Sequence, residues 1–271
     1  MENVIIAVLV VTAVGILAGA VLAIANHFMG IKEDERAVAI RAMLPGANCG
    51  ACNHSGCDAY AKAIAEGKAK PNLCIPGGND VAQEIAGFLG VETEEVELEV
   101  AFVRCNGTPD ATSKKAVFDG EHSCHSAALL FGGPGKCNYG CLGYGDCVAV
   151  CPVEAIHVKN GVARVDSRVC VGCGMCEKTC PKHLIVLFPR KATTVNMCRS
   201  KDKGATTRKA CSNGCIACGK CAKVCPNDAI EIENNRATID HTKCTGCGAC
   251  VDVCPVKCLR HTDFFRIPKP L

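Results

Sequence analysis

The chain opens on a stretch with no polar alternation. Residues 4–25 read VIIAVLVVTAVGILAGAVLAIA, twenty-two positions without a charge. At about 1.5 Å per residue a helix of this length covers roughly 33 Å, enough to cross a hydrocarbon core of about 30 Å. A cleaved signal peptide would begin with basic residues and carry an apolar stretch of only about 7–15. Here Glu2 and Asn3 come first, and no twin arginine is present. The expectation is an uncleaved single-pass membrane helix within an anchor of residues 1–30. Lys32, Arg36 and Arg41 follow it and no Lys or Arg precedes it, which places the long C-terminal part in the cytoplasm.

Beyond the anchor the apolar positions recur at helical, then strand, spacing. Ile31, Ala37, Val38, Ile40 and Leu44 among charges predict a helix over 31–44, DAYAKAIAEGK predicts one over 58–68, and a third is expected over 79–90. Val96, Leu98, Val100 and Phe102 alternate with acids, the pattern of a half-buried strand. The segments AIHVKNGVARVD (155–166) and AIEIENNRATID (229–240) alternate on either side of Asn160-Gly161 and Asn234-Asn235, which predicts two β-hairpins. Phe131-Gly132-Gly133-Pro134-Gly135 reads as a hinge.

Composition changes this picture in one respect. The chain has 271 residues, 25 of them cysteine, no tryptophan and 4% aromatics, so cross-links rather than a large core should set the fold. A charge of +3 gives no global case for nucleic-acid binding. The odd cysteine count argues against a disulfide framework. A lone C-x2-C pair points first to zinc. The spacing here goes further. Cys170, Cys173, Cys176 and Cys180 form C-x2-C-x2-C-x3-C before Pro181; Cys215, Cys218, Cys221 and Cys225 repeat it before Pro226, and Cys244, Cys247, Cys250 and Cys254 before Pro255. In that run three thiolates bind one [4Fe–4S] cube and the fourth binds its neighbour.

The same arrangement recurs at an interval of 74 residues: Cys137, Cys141, Cys147, Cys151, Cys170, Cys173, Cys176 and Cys180 reappear at Cys211, Cys215, Cys221, Cys225, Cys244, Cys247, Cys250 and Cys254. The fold expected is therefore α+β: a single N-terminal transmembrane helix, a small helical [4Fe–4S] domain over 31–90, a connecting region over 91–135, and two tandem bacterial-type 2[4Fe–4S] ferredoxin modules over 136–190 and 210–271. A basic linker over 191–209 separates the modules. Modules this small need metal ligation for much of their folding free energy.

Five cubes are expected. Cys49, Cys52, Cys57 and Cys74 form the first group, in a glycine-rich loop where His54 reads as a capping side chain rather than a ligand. The ferredoxin rule assigns Cys151, Cys170, Cys173 and Cys176 to one cube, Cys215, Cys218, Cys221 and Cys254 to another, and Cys225, Cys244, Cys247 and Cys250 to a third. The remaining cube departs from the pattern, because Tyr144 stands where the repeat has Cys218. Cys141, Cys147 and Cys180 remain, with Cys137 as the natural fourth ligand; the alternative is a three-iron cluster on the three. Cys105, Cys124, Cys198 and Cys211 are left over and suggest a sixth cluster, against the plainer reading of buried thiols. Cys258 matches Leu184 in the repeat and reads as a small buried apolar residue.

Lys182, Arg190, Lys191, Arg199, Lys201, Lys203, Arg208 and Lys209 face only Asp202 in residues 182–214. Such a patch would steer an acidic electron donor, with Lys201, Lys203, Arg208 and Lys209 as the docking residues. No nucleotide fingerprint and no nucleophile–base pair is found, so the chain carries no catalytic residues of its own.

The membrane helix, CGACNHSGC over Cys49–Cys57 with Cys74 beyond, and CNYGCLGYGDCVAVCP over 137–152 together resemble the B subunit of the Rnf complexes, across essentially the whole chain. Two ferredoxin modules resemble the family's longer form. The resemblance implies a subunit of an ion-translocating ferredoxin:NAD oxidoreductase in the cytoplasmic membrane. Reduced ferredoxin would be the electron donor, other Rnf-type membrane subunits the partners, and Na⁺ or H⁺ the translocated ion. A membrane-tethered polyferredoxin serving a hydrogenase, dehydrogenase or corrinoid enzyme is the alternative.

Overall fold

A computed structural model of the chain describes residues 2–29, 34–262 and 264, with side chains in the first helix described at a subset of positions. That helix, α1, runs unbroken over Glu2–Met29. Every described side chain on it is exposed, from Ile5, Ile6 and Leu9 to Ile24. Among the described residues no helix is long and apolar enough to cross a membrane. Ile31, Lys32 and the tail beyond Phe264 lie outside the described residues.

The first compact unit is helical. Asp34 caps α2 (Glu35–Met43), its carboxylate accepting the Arg36 N–H at 2.9 Å. The expected second helix is α3 (Cys57–Ala65), and α4 (Gly78–Leu89) is the third. Ile40, Leu44, Tyr60, Ile64 and Ile85 meet in its core. Tyr60 is the tie: its hydroxyl donates to the Lys70 carbonyl at 2.8 Å and accepts the Leu73 N–H at 3.0 Å, which turns the chain back and brings Cys74 to α3.

Each ferredoxin module is a hairpin with two short helices. In the first, β2 (Ile156–Lys159) pairs with β3 (Val162–Val165); in the second, β6 (Ile230–Glu233) pairs with β7 (Arg236–Ile239). Asn160 (φ 51°) and Gly161 (φ 71°) turn the first hairpin and Asn234 (φ 47°) and Asn235 (φ 58°) the second, two positive φ values in succession as a type I′ turn requires. The helices are α6 (Asp146–Ala149) and α7 (Met175–Thr179) in the first module, α9 (Lys220–Lys223) and α10 (Ala249–Asp252) in the second. All four start from a left-handed glycine: Gly145, Gly174, Gly219 and Gly248.

The segments expected to connect the modules are structural parts of them. Strand β1 (Glu99–Val103) pairs antiparallel with β4 (Ile185–Pro189), and β5 (Thr194–Asn196) pairs with β8 (Leu259–His261). Strand β1 is buried on both faces rather than half-buried. Val100 packs with Ala192, Val195 and Phe264, while Ala101 and Val103 enter the core of the first module. The 191–209 segment is likewise no solvated linker, since Thr194, Val195, Asn196, Met197, Cys198 and Ser200 are buried. Its remaining helix is α8 (Gly204–Ala210).

Candidate metal centres

The local geometry that presents cysteine is repeated throughout the modules. After the left-handed glycine, the short helix buries the third cysteine of each motif: Cys147, Cys176, Cys221 and Cys250. After each Cys-Pro, the residue three beyond the cysteine is left-handed: Glu154 (φ 52°), His183 (φ 49°), Asp228 (φ 48°) and Lys257 (φ 48°). That turn aims backbone N–H groups at sulfur. Ala155 donates to Cys151 Sγ at 3.3 Å, Leu184 to Cys180 Sγ at 3.5 Å, and Ala229 to Cys225 Sγ at 3.3 Å. Non-glycine residues there cost on the order of 1–3 kcal/mol each, a strain found where a site over-determines the backbone.

Four cavities follow from this geometry. One is lined by Cys151, Cys170, Cys173 and Cys176, a second by Cys215, Cys218, Cys221 and Cys254, and a third by Cys225, Cys244, Cys247 and Cys250. These are the groupings expected from spacing. The fourth differs. It is lined by Cys124, Cys141, Cys147 and Cys180, and Cys137 is not among its residues. Two contacts explain the exchange. Tyr144, in the position of the missing cysteine, packs edge-on against Phe118 (5.9 Å) and His122 (5.7 Å), which draws the 118–124 segment over the site. Asp146 then fixes it, accepting from Cys124 N–H (2.8 Å) and His125 N–H (3.0 Å) in the first turn of α5 (Cys124–Leu129) and from Ser123 Oγ (3.0 Å), the N-cap of that helix. Burial works against the Asp146 carboxylate, but these hydrogen bonds outweigh it and hold the group below its usual range. Cys137 lines instead a fifth cavity, together with Cys105, Cys198 and Cys211, and with Cys141, which this cavity shares with the fourth. The leftover set foreseen with Cys124 therefore forms with Cys137 in its place.

In the N-terminal unit, Asn48 (φ 47°) accepts the Cys57 N–H on its side chain at 2.8 Å and Gly50 (φ 68°) turns the loop between Cys49 and Cys52. Cys52, Cys57 and Cys74 share the core around Tyr60, and the Cys74 thiol lies in the field of Cys57, Cys49 and Cys52. His54 lies against Tyr60, the ring centroids 5.3 Å apart and the planes tilted by 35°.

Among the described residues no three Cys, His, Asp or Glu side chains stand close enough to hold a single metal ion; the thiols face one another across cavities. Burial pushes Cys74 up to about 11, and Cys105, Cys147 and Cys176 up to about 12. Groups of buried thiols in mutual contact ionise only against a compensating cation. Converging N–H donors and small residues fit an iron–sulfur cube. Cys258 is buried with its sulfur 3.8 Å from Cys254 Sγ, and it also hydrogen-bonds Cys215. Hydrogen bonding with Cys258 holds Cys215 down at about 6 and Cys254 at about 5. The expected apolar residue thus touches two members of one cysteine group, which its spacing alone did not reveal.

The basic residues divide. Lys182 is tied to the carbonyls of Gly132 and Asn138, Arg190 to those of Ser167 and Cys170, and Lys191 to Glu97. Lys201, Lys203, Arg208 and Lys209 are exposed together around α8.

Comparison with known proteins agrees with this cysteine framework. Residues 44–76 match a family described as "Putative Fe-S cluster", residues 169–229 and 209–261 match 4Fe-4S dicluster domains, and residues 146–191 match the LdpA Fe-S cluster-binding domain. The chain is 42% identical over 246 residues (90% of it, 74% of the relative) to the B subunit of the Na(+)-translocating ferredoxin:NAD(+) oxidoreductase complex of Acetobacterium woodii. It is 40% identical over 246 residues (90% and 87%) to the proton-translocating counterpart of Clostridium ljungdahlii. To the B subunit of the ion-translocating oxidoreductase complex of Methanosarcina acetivorans it is 39% identical over 237 residues (87% and 89%). With cysteine groups along its length and this likeness over nine-tenths of the sequence, the chain belongs to the family of Rnf complex B subunits.

Proposed function

We propose that this chain is the iron–sulfur electron-transfer subunit of an ion-translocating ferredoxin:NAD oxidoreductase, taking electrons from reduced ferredoxin and delivering them to membrane subunits. The observation that carries the reading is the linear order of its cysteine groups. Cys49 of the N-terminal group lies in the field of Cys173, and a Cβ placed at Gly172 would lie 3.2 Å from the side chain of Ile75, beside Cys74. Within the first module Cys176 lies in the field of Cys147, and within the second the two groups share one core. The ligands assigned are Cys49, Cys52, Cys57 and Cys74; Cys151, Cys170, Cys173 and Cys176; Cys124, Cys141, Cys147 and Cys180; Cys215, Cys218, Cys221 and Cys254; and Cys225, Cys244, Cys247 and Cys250. Bound there, [4Fe–4S] cubes supply one-electron storage. The protein supplies thiolates, N–H donors and exclusion of water, which set each potential.

The ends of the line differ in a way that suits this direction. Cys218 and Cys247, in the second module, are exposed, and the exposed Lys201, Lys203, Arg208 and Lys209 lie in the segment that leads into that module. A soluble acidic ferredoxin would be steered to that end. The N-terminal group follows α1 closely in the chain, and α1, apolar and followed by basic residues, serves as the single-pass anchor with the remainder in the cytoplasm. Triple reversal of Lys201, Lys203 and Lys209 to Glu should slow reduction of the protein by ferredoxin at least about tenfold at low salt, the deficit shrinking as salt rises. Stopped-flow bleaching of the visible absorbance reads this out. An unchanged rate and salt dependence would remove the docking assignment.

A further inference from the structure

We propose that Cys105, Cys137, Cys198 and Cys211 hold a further [4Fe–4S] cluster, which bridges the two ferredoxin modules. The inference rests on the reading above, that cysteine-lined cavities in this chain are cluster sites, and extends it to a cavity where Cys141 is the one cysteine already assigned to another group. At about 40 Å³ this cavity is roomier than the four at the motifs, which measure about 10 to 20 Å³. The thiols converge on it. A Cβ placed at Gly107 would lie 3.5 Å from Cys105 Sγ and 3.8 Å from Cys211 Sγ, and one at Gly140 would lie 3.8 Å from Cys137 Sγ.

Each of the four thiols receives the N–H of the residue two positions on: Gly107 to Cys105, Tyr139 to Cys137, Ser200 to Cys198 and Asn213 to Cys211. Motif cysteines are held in the same way, Cys141 by Gly143, Cys173 by Met175 and Cys215 by Ala217. Arg104 and Arg199 line the cavity and no carboxylate does. Arg104 spends its hydrogen bonds on the carbonyls of Asn196 and Cys198, so an anionic thiolate cluster is the counter-charge the pocket offers.

The four cysteines also form two equivalent pairs. Cys137 and Cys211 are separated by the 74-residue interval of the duplication. Val103 of β1 pairs with Ile185 of β4, and Asn196 of β5 pairs with Leu259 of β8, partners separated by the same interval. Cys105 and Cys198 each stand two residues beyond those paired strand positions. Their second N–H donors match as well: Cys141 donates to Cys105 Sγ at 3.4 Å and Cys215 donates to Cys198. Each half of the duplication therefore brings one thiol from a strand end and one from the start of its module to a shared site. Buried thiols left over by chance would carry no such symmetry. Cys141 and Cys215 belong to the facing cysteine groups of the two modules, so the site touches both and closes the gap between them.

The test uses the full chain, purified anaerobically in detergent, with native mass spectrometry, iron and acid-labile sulfide quantitation, and EPR on stepwise reduction. The wild type should reach six cubes, about 24 iron atoms per chain. Cys105→Ala and Cys198→Ala should each lose about four iron and four sulfide and one EPR component, while Cys258→Ala keeps the full count. A wild-type maximum of five cubes, or full iron content in both Cys105→Ala and Cys198→Ala, overturns the bridge and leaves the five-cluster reading standing. Should the variants fail to fold, the wild-type mass alone decides. A wild type without acid-labile sulfide would sink the underlying reading instead.

Discussion

Cys258 shows how one side chain distinguishes two otherwise parallel modules. Its thiol lies against Cys215 and Cys254 and, once these are thiolates, can donate to one of them at a time, whereas the first module has Leu184 at the equivalent place. A donor directed at ligand sulfur stabilises the more negative, reduced state of a cube, so this site should be easier to reduce than its counterpart. Cys258→Leu removes the donor and keeps an apolar side chain. A weak hydrogen bond is worth about 1 kcal/mol, which for a one-electron couple is roughly 40 mV. The substitution should lower one midpoint potential by about that amount and leave the iron content intact, as EPR-monitored titration would show. A shift in the opposite direction would mean that Cys258 acts by packing alone.

At the level of elements, what the sequence makes legible is whatever is settled within a few residues. Asn160-Gly161 and Asn234-Asn235 specify their hairpins locally, and the C-x2-C-x2-C spacing wraps three thiols about one cavity through a left-handed glycine and one helical turn. Strands β1 and β5 are different, since each finds its partner across a long stretch of chain, and Thr194-Val195-Asn196 is too short to show a period inside a basic run. The exchange of Cys137 for Cys124 belongs to the same class. The bridge between Lys114 and Gly135 and the contacts of Tyr144 with Phe118 and His122 decide it, and all of these are tertiary. Asp146 is the residue on which that exchange turns. Asp146→Asn replaces charge-assisted bonds to Cys124, His125 and Ser123 by weaker ones, a loss of about 1.5–3 kcal/mol in holding the α5 segment. Chelator-accessible iron should then be released faster from one cube of the variant than from any cube of the wild type. Release at the wild-type rate would show that Cys124 is held by the aromatic contacts alone.

On the scale of the whole molecule, the chain divides into an apolar helix and a body held together by cysteine groups. Among the described residues the body has four buried apolar clusters, of which one lies in the N-terminal unit and one in each module. Each of these three contains members of the cysteine groups, and the fourth, of Val100, Ala192, Val195 and Phe264, joins β1 to β5. Every described side chain of α1 is exposed, the large apolar ones from Val10 at 56% to Val11 at 71%, so the body draws little packing from them. In the anchoring role proposed for α1 that surface is covered by lipid or by partner subunits, since exposed apolar surface of this kind favours aggregation in water. A variant beginning at Asp34 should therefore keep the cap of α2 and all 25 cysteines while losing the attachment. It is expected in the soluble fraction without detergent, with iron and sulfide per chain equal to the full-length protein and an unchanged EPR spectrum. Full-length protein should stay with the membranes after a high-salt wash, since apolar burial, unlike surface charge, is not screened. A truncated chain that stayed with the membranes would show that the body has its own lipid-facing surface; one that lost iron would show that α1 supports the fold of the N-terminal unit.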